Sequence, residues 1–174
     1  MRKTIIVALV GFTIGASAWL LTKTYHQINQ KQQVSLRSQY LPPVRLLGLD
    51  STCFVVETKQ QPTVIFYFDP NCEHCQNEAQ ALVKQCKDFS NVQLIWVSTE
   101  KMELIRQFEQ QYHLQRVFPF LKIAQIKLED ANKQFGFRIV PTILIYNAKG
   151  KLLKKYVGET KIEALVKYLY QPNF

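Results

Sequence analysis

The sequence predicts an α/β domain over residues 46–174 behind an N-terminal membrane-targeting helix, and three observations carry that expectation. A β-branched and aromatic run at 63–68 (Thr-Val-Ile-Phe-Tyr-Phe) leads straight into Cys72-Glu73-His74-Cys75, where a helical pattern begins. A second apolar strand, 142–146, has Pro141 at its mouth and is followed by a hairpin turn and a terminal helix. Met1-Arg2-Lys3 precedes a mainly apolar stretch, 4–22, that contains no charged residue.

Each element has its own signal. Residues 1–22 read as a signal anchor or signal peptide, and 23–45, rich in Gln and Lys and closed by Pro42-Pro43, as a linker that is either a short polar helix or a tether. A strand is expected around 51–57, then the strand at 63–68, which Asp69-Pro70-Asn71 breaks, with Asn71 as the expected N-cap. From 73 to 89 the residues Ala79, Leu82, Val83, Cys86 and Phe89 recur at three- and four-residue spacing, one buried helical face. A strand at 92–98, a helix at 102–112, an inserted strand or extended segment at 120–126 and a short helix at 128–135 follow. Asn147-Ala148-Lys149-Gly150 turns a hairpin between 142–146 and 152–157, and 161–170 forms the last helix. No internal repeat is evident.

The chemistry centres on the cysteine pair. A thiol attacks as thiolate, and the unpaired N–H groups and macrodipole of a helix N-terminus favour negative charge. Cys72 in the first turn is therefore the expected nucleophile, and Cys75, one turn further in, the thiol that resolves its mixed disulfide. Glu73 and His74 pull oppositely, since the carboxylate disfavours a neighbouring thiolate and a protonated imidazole favours it. Redox pairs of this spacing run from roughly −270 mV to roughly −120 mV, so the motif leaves reductant and oxidant both open. Pro141 is the candidate for a cis peptide bond, which would turn the Val140 backbone outward to pair with an extended substrate chain.

Two cysteines at this spacing have other uses. Zinc needs two further ligands, and Cys53, Cys86 and His113 stand alone, so no metal site is expected. A dithiol also suits a soft ion such as Cu(I), which makes a metal carrier the rival from another class. Cys86 lies roughly 16 Å along the helix from Cys75 and cannot bond to it, whereas Cys53 and Cys86 might pair after export. The net charge of +9 admits nucleic-acid binding, but the Lys and Arg residues are scattered, so no nucleic acid is expected; anionic lipid or an acidic substrate suits that charge better.

Strand, Cys-x-x-Cys, helix, then Val140-Pro141-Thr142, strand, hairpin and helix together resemble the thioredoxin superfamily over roughly 46–169, and within it the membrane-anchored TlpA/ResA-type branch. That branch often carries a glutamate three residues beyond the second cysteine, which is Glu78 here. The resemblance implies a thioredoxin-like fold with a central mixed sheet flanked by helices, Cys72 as attacking and Cys75 as resolving thiol in one redox disulfide, cis-Pro141, and Glu73 and Glu78 tuning proton transfer, with no cofactor. Departures are Asn71 and His74 in place of an aromatic and a proline. His74 is similar to the oxidising disulfide-forming enzymes, and the Asp-Pro-Asn-Cys lead-in to the periplasmic isomerases. Phe66 stands where thioredoxin has a buried aspartate, so Glu78, on the Cys75 face at i,i+3, is the expected acid for the buried thiol. The peroxiredoxin pattern, a threonine or serine and a proline at fixed distances before one peroxidatic cysteine, is not supplied by Asp69-Pro70-Asn71.

The expected function is thiol-disulfide exchange with cysteine-containing exported proteins, as a reductant; a disulfide-forming oxidant or isomerase is the alternative within the same chemistry. The expected place is the cytoplasmic membrane as a single-pass protein, catalytic domain on the periplasmic or extracytoplasmic side. Ala16-Ser17-Ala18 fits a peptidase site and would instead release the domain to the periplasm, while Trp19-Leu20-Leu21 extends the apolar run past it. An oxidising compartment requires an electron donor, such as a membrane thiol reductase.

Overall fold

The central strands of this chain are largely apolar without alternation because both faces of the sheet are covered there. The computed structural model describes residues 2–85, 89 and 91–169, with the backbone alone given for 2–14 and Lys31. β1 (Arg45–Gly48), β2 (Cys53–Val55), β3 (Thr63–Tyr67), β4 (Gln93–Ser98), β5 (Lys122–Gln125), β6 (Thr142–Tyr146) and β7 (Leu152–Val157) form one sheet in the order β2-β1-β5-β4-β3-β6-β7. β3, β4 and β5 run parallel and the other pairings are antiparallel, so the sheet is mixed as the resemblance implied. All residues of β3, β4 and β6 are buried.

Side chains that alternate along each strand feed two cores. Val64, Phe66, Leu94, Trp96, Ile143 and Ile145 face the helices α2 (Glu73–Lys84), α3 (Met102–Tyr112) and α6 (Ile162–Leu169), which contribute Cys75, Ala79, Leu82, Ile105, Phe108 and Leu165. Ile65, Tyr67, Ile95, Val97, Leu144 and Tyr146 face the opposite way, under Phe135 and Phe137 and beside Val44 and Leu46. Tyr67 stacks on Phe137 at 4.6 Å, and Phe66 on Trp96 at 4.6 Å. β7 is an edge strand whose outward positions include Lys155.

Helix α1 (Arg2–Arg37) runs through the first part of the stretch read as a linker, the helical one of its two readings, and ends before Pro42-Pro43. Other expectations are corrected by the structure. The strand expected at 51–57 shortens to β2 and pairs with β1, which the sequence did not signal. α2 stops at Lys84 rather than 89, and Cys86 lies outside the described residues, so a Cys53–Cys86 pair does too; Cys53 itself is an exposed free thiol. A further short helix, α4 (Leu114–Val117), precedes β5, and α5 (Leu128–Asp130) continues into a π-helical turn, Ala131–Phe135. The hairpin turn is held by Asn147, whose Oδ1 accepts the N–H groups of Lys149 at 3.0 Å and Lys151 at 2.9 Å, with Gly150 at φ +77°. Among the described residues no helix is long and apolar enough to cross a membrane, and the side chains of 4–14, most of the expected targeting segment, lie outside them.

Candidate active site

The turn between β3 and α2 sets the position of Cys72. Asp69 Oδ1 accepts the Asn71 N–H at 2.8 Å and the Asp69 carbonyl accepts the Cys72 N–H at 3.1 Å. Cys72 then adopts extended torsions (φ −82°, ψ 117°) while its carbonyl accepts the Gln76 N–H at 3.1 Å, so Cys72 is itself the N-cap. The expected cap, Asn71, is corrected: its side chain caps nothing, and Asp69 does the turn-making one step earlier. With cysteine at the cap, the sulfur stands at the helix end that favours an anion.

The two thiols differ in burial. Cys72 is half-buried and Cys75, one turn on, has no exposed surface. Both are free. Burial pushes the Cys75 thiol above the ordinary thiol range, and the neighbouring Cys72 and Glu78 add to that direction. Glu78 is 2% exposed, and its carboxyl is pushed up to about 7, chiefly by burial. Its Oε1 accepts the Thr160 N–H at 2.9 Å, which acts the other way, as does His74, while Glu159 reinforces the rise. An open groove of about 750 Å³, lined by Glu78, Ala81, Gln85, Thr160 and Glu163, gives this carboxyl a path to solvent.

The remaining sequence-predicted residues divide. His74 is exposed and its Nδ1 pairs with Glu159 Oε2 at 2.5 Å. Glu73 is exposed and its side chain makes no hydrogen bond or ion pair among the described residues, so only Glu78 of the two glutamates is brought to the buried thiol. The Val140–Pro141 peptide is cis. The Pro141 carbonyl is taken by the Gly158 N–H at 2.8 Å, whereas the Val140 N–H and carbonyl have no hydrogen-bond partner among the described residues. No group of three or more His, Cys, Asp or Glu among the described residues is arranged to hold a metal ion. Glu159 and Thr160 were missed by the sequence reading: His74 and Glu159 are 85 residues apart and no local pattern joins them.

This arrangement can carry thiol-disulfide exchange, with one accessible sulfur, one shielded sulfur and a buried carboxyl beside it. A family model described as the AhpC/TSA family matches residues 47–155. Solved structures similar to the chain include a secreted disulfide oxidoreductase of Mycobacterium tuberculosis described as homologous to E. coli DsbE, at 16% identity, TM-score 0.62, covering 76% of this chain and 96% of that one. StoA from Bacillus subtilis matches at 17% identity and TM-score 0.59, covering 75% and 98%. The thioredoxin domain of a Bacteroides vulgatus thiol-disulfide oxidoreductase matches at 15% identity and TM-score 0.63, covering 76% and 96%. At these identities the likeness establishes the thioredoxin-like fold. No curated protein gave a match. Family and neighbours together support a general thiol-disulfide redox function.

Proposed function

The chain belongs to the AhpC/TSA family, and from that premise we propose that it is a thiol-disulfide oxidoreductase that reduces disulfides of cysteine-containing exported proteins. The observation that carries this reading is the asymmetry of the dithiol: Cys72 at the helix cap, Cys75 fully buried, and Glu78 buried on the same face. Cys72 thiolate attacks a client disulfide, forming a bond to one client sulfur while the other leaves as thiolate and takes a proton from solvent. Cys75 then gives its proton to the Glu78 carboxylate and attacks Cys72, the second client sulfur leaves, and the Cys72–Cys75 disulfide closes. The client gains two electrons, and an external donor, such as a membrane thiol reductase, returns the dithiol to its reduced form.

The direction is supported by charge. Glu159 offsets the imidazole of His74, and Glu73 adds a carboxylate next to Cys72, so the surroundings of this sulfur lack the uncompensated positive charge that makes a strong oxidant. The unpaired Val140 backbone is suited to hold an extended client beside Pro141. Exposed Trp19, Leu20 and Leu21 on α1 support attachment to the cytoplasmic membrane through the N-terminal segment, with the domain on the periplasmic or extracytoplasmic side.

Replacing Cys75 with Ser tests the exchange. Mixed disulfides should accumulate through Cys72 and vanish when Cys72 is also replaced; a variant that traps nothing would refute it and favour a Cu(I) carrier. Equilibration of the wild-type dithiol with glutathione should give a potential toward roughly −270 mV, and a value near roughly −120 mV would reverse the direction.

A further inference from the structure

Two cavities of about 460 Å³ each lie where α1 meets the segment running from the π-helical turn toward β7, and they share Val34 and Arg138. The seam is fixed by a close approach. Gly136 has φ +65°, and a Cβ built there would stand 2.6 Å from Val34 Cγ1.

The charge along this seam has one sign. His26, Arg37, Lys133 and Arg138 line the first cavity, Arg138 and Lys155 the second, and no Asp or Glu among the described residues lines either. Lys133 has a carboxylate partner in Glu129, but the side chains of Arg37 and Arg138 have no hydrogen bond or ion pair among the described residues. Among the described residues the Lys155 ammonium donates only to the Gly136 carbonyl, at 3.4 Å. Partial burial of its ammonium, with the Arg138 guanidinium adding to it, lowers the Lys155 pKa, although the residue as a whole is exposed. Guanidinium and ammonium groups held together without a counter-charge repel one another, and an anion with several acceptor oxygens relieves that repulsion while accepting their charge-assisted hydrogen bonds.

We propose that this groove binds an anionic phosphate group, carried by a lipid headgroup or free in solution, with Arg138 and Lys155 as its principal donors. The site is separate from the dithiol and stands whether or not the redox reading does.

The test uses the full chain in neutral detergent and follows the Gly136 amide by NMR during titration with inorganic phosphate, with short-chain phosphatidylglycerol, and with short-chain phosphatidylcholine as zwitterionic control. A saturable shift is expected with phosphate, phosphatidylglycerol or both, weakened roughly tenfold or more in the Arg138→Gln/Lys155→Gln variant and restored in Arg138→Lys/Lys155→Arg. Near-UV circular dichroism checks that both variants keep native packing. A response to phosphatidylglycerol alone assigns the source to a headgroup, and a response to inorganic phosphate alone to a free anion. No saturable shift with either probe, an equal response to phosphatidylcholine, or an undiminished response in the Gln variant would overturn the proposal.

Discussion

The Glu78 carboxyl ties the stability of the fold to pH in a direction opposite to most acids, and Glu78→Gln exposes this. In the folded chain the group titrates at about 7 against an ordinary 4.5. The folded state therefore holds its proton more tightly than the unfolded one, and the contribution of this group to stability is full below pH 4.5, falls through the interval up to 7, and is gone above it. At 1.36 kcal/mol per pH unit, the whole interval is worth about 3 kcal/mol. The group is almost wholly buried, so solvent screening takes little from that figure. Gln cannot ionise, yet its Oε1 can still accept the Thr160 N–H. Urea unfolding of both forms from pH 4 to pH 8.5, in a Cys72→Ser/Cys75→Ser background that removes thiol chemistry, measures the difference. The Gln form should gain about 3 kcal/mol on the parent between the two ends, and any constant offset from the amide cancels. Because Glu159 contributes to the raised value, Glu159→Gln should move the window to lower pH. A difference that stays constant with pH, or grows with acid, would refute the burial argument and leave Glu78 without its proton-accepting part in the exchange.

Two further outcomes follow from packing and access. In the reduced chain at neutral pH an alkylating reagent should label Cys72 well before Cys75, which has no exposed surface; mass spectrometry of timed samples reads this, and equal rates would contradict the asymmetry. Phe66→Ala, which removes the ring stacked at 4.6 Å on Trp96, should cost about 3–5 kcal/mol by denaturant unfolding, and a loss under 1 kcal/mol would mean the core collapses around the gap.

What the sequence made legible was local. The strands at 63–68, 92–98 and 142–146 were readable because burial on both faces demands unbroken apolar runs, and α3 because Ile105 and Phe108 recur at helical spacing. Cys72, Cys75 and Glu78 share one helix, so their spacing alone placed them together. β1 escaped notice because it is four residues long and lies just after Pro42-Pro43, and its support comes from β2 and β5 rather than from its own pattern. Asn71 lost the cap to Cys72 because Asp69 had already closed the turn. The partner of His74 was invisible for another reason: Glu159 reaches it only after β6 and β7 have folded back along β3.

The outer strand β7 bears on self-association. An unpaired strand margin is a template onto which a second chain can add, and lysines blunt it because two such margins brought side by side set cation against cation. β7 carries Lys154 and Lys155 midway along, and the opposite margin, β2, is only three residues long. Neither end of the sheet therefore offers a long uncharged ladder, which disfavours fibrous stacking of one copy on another.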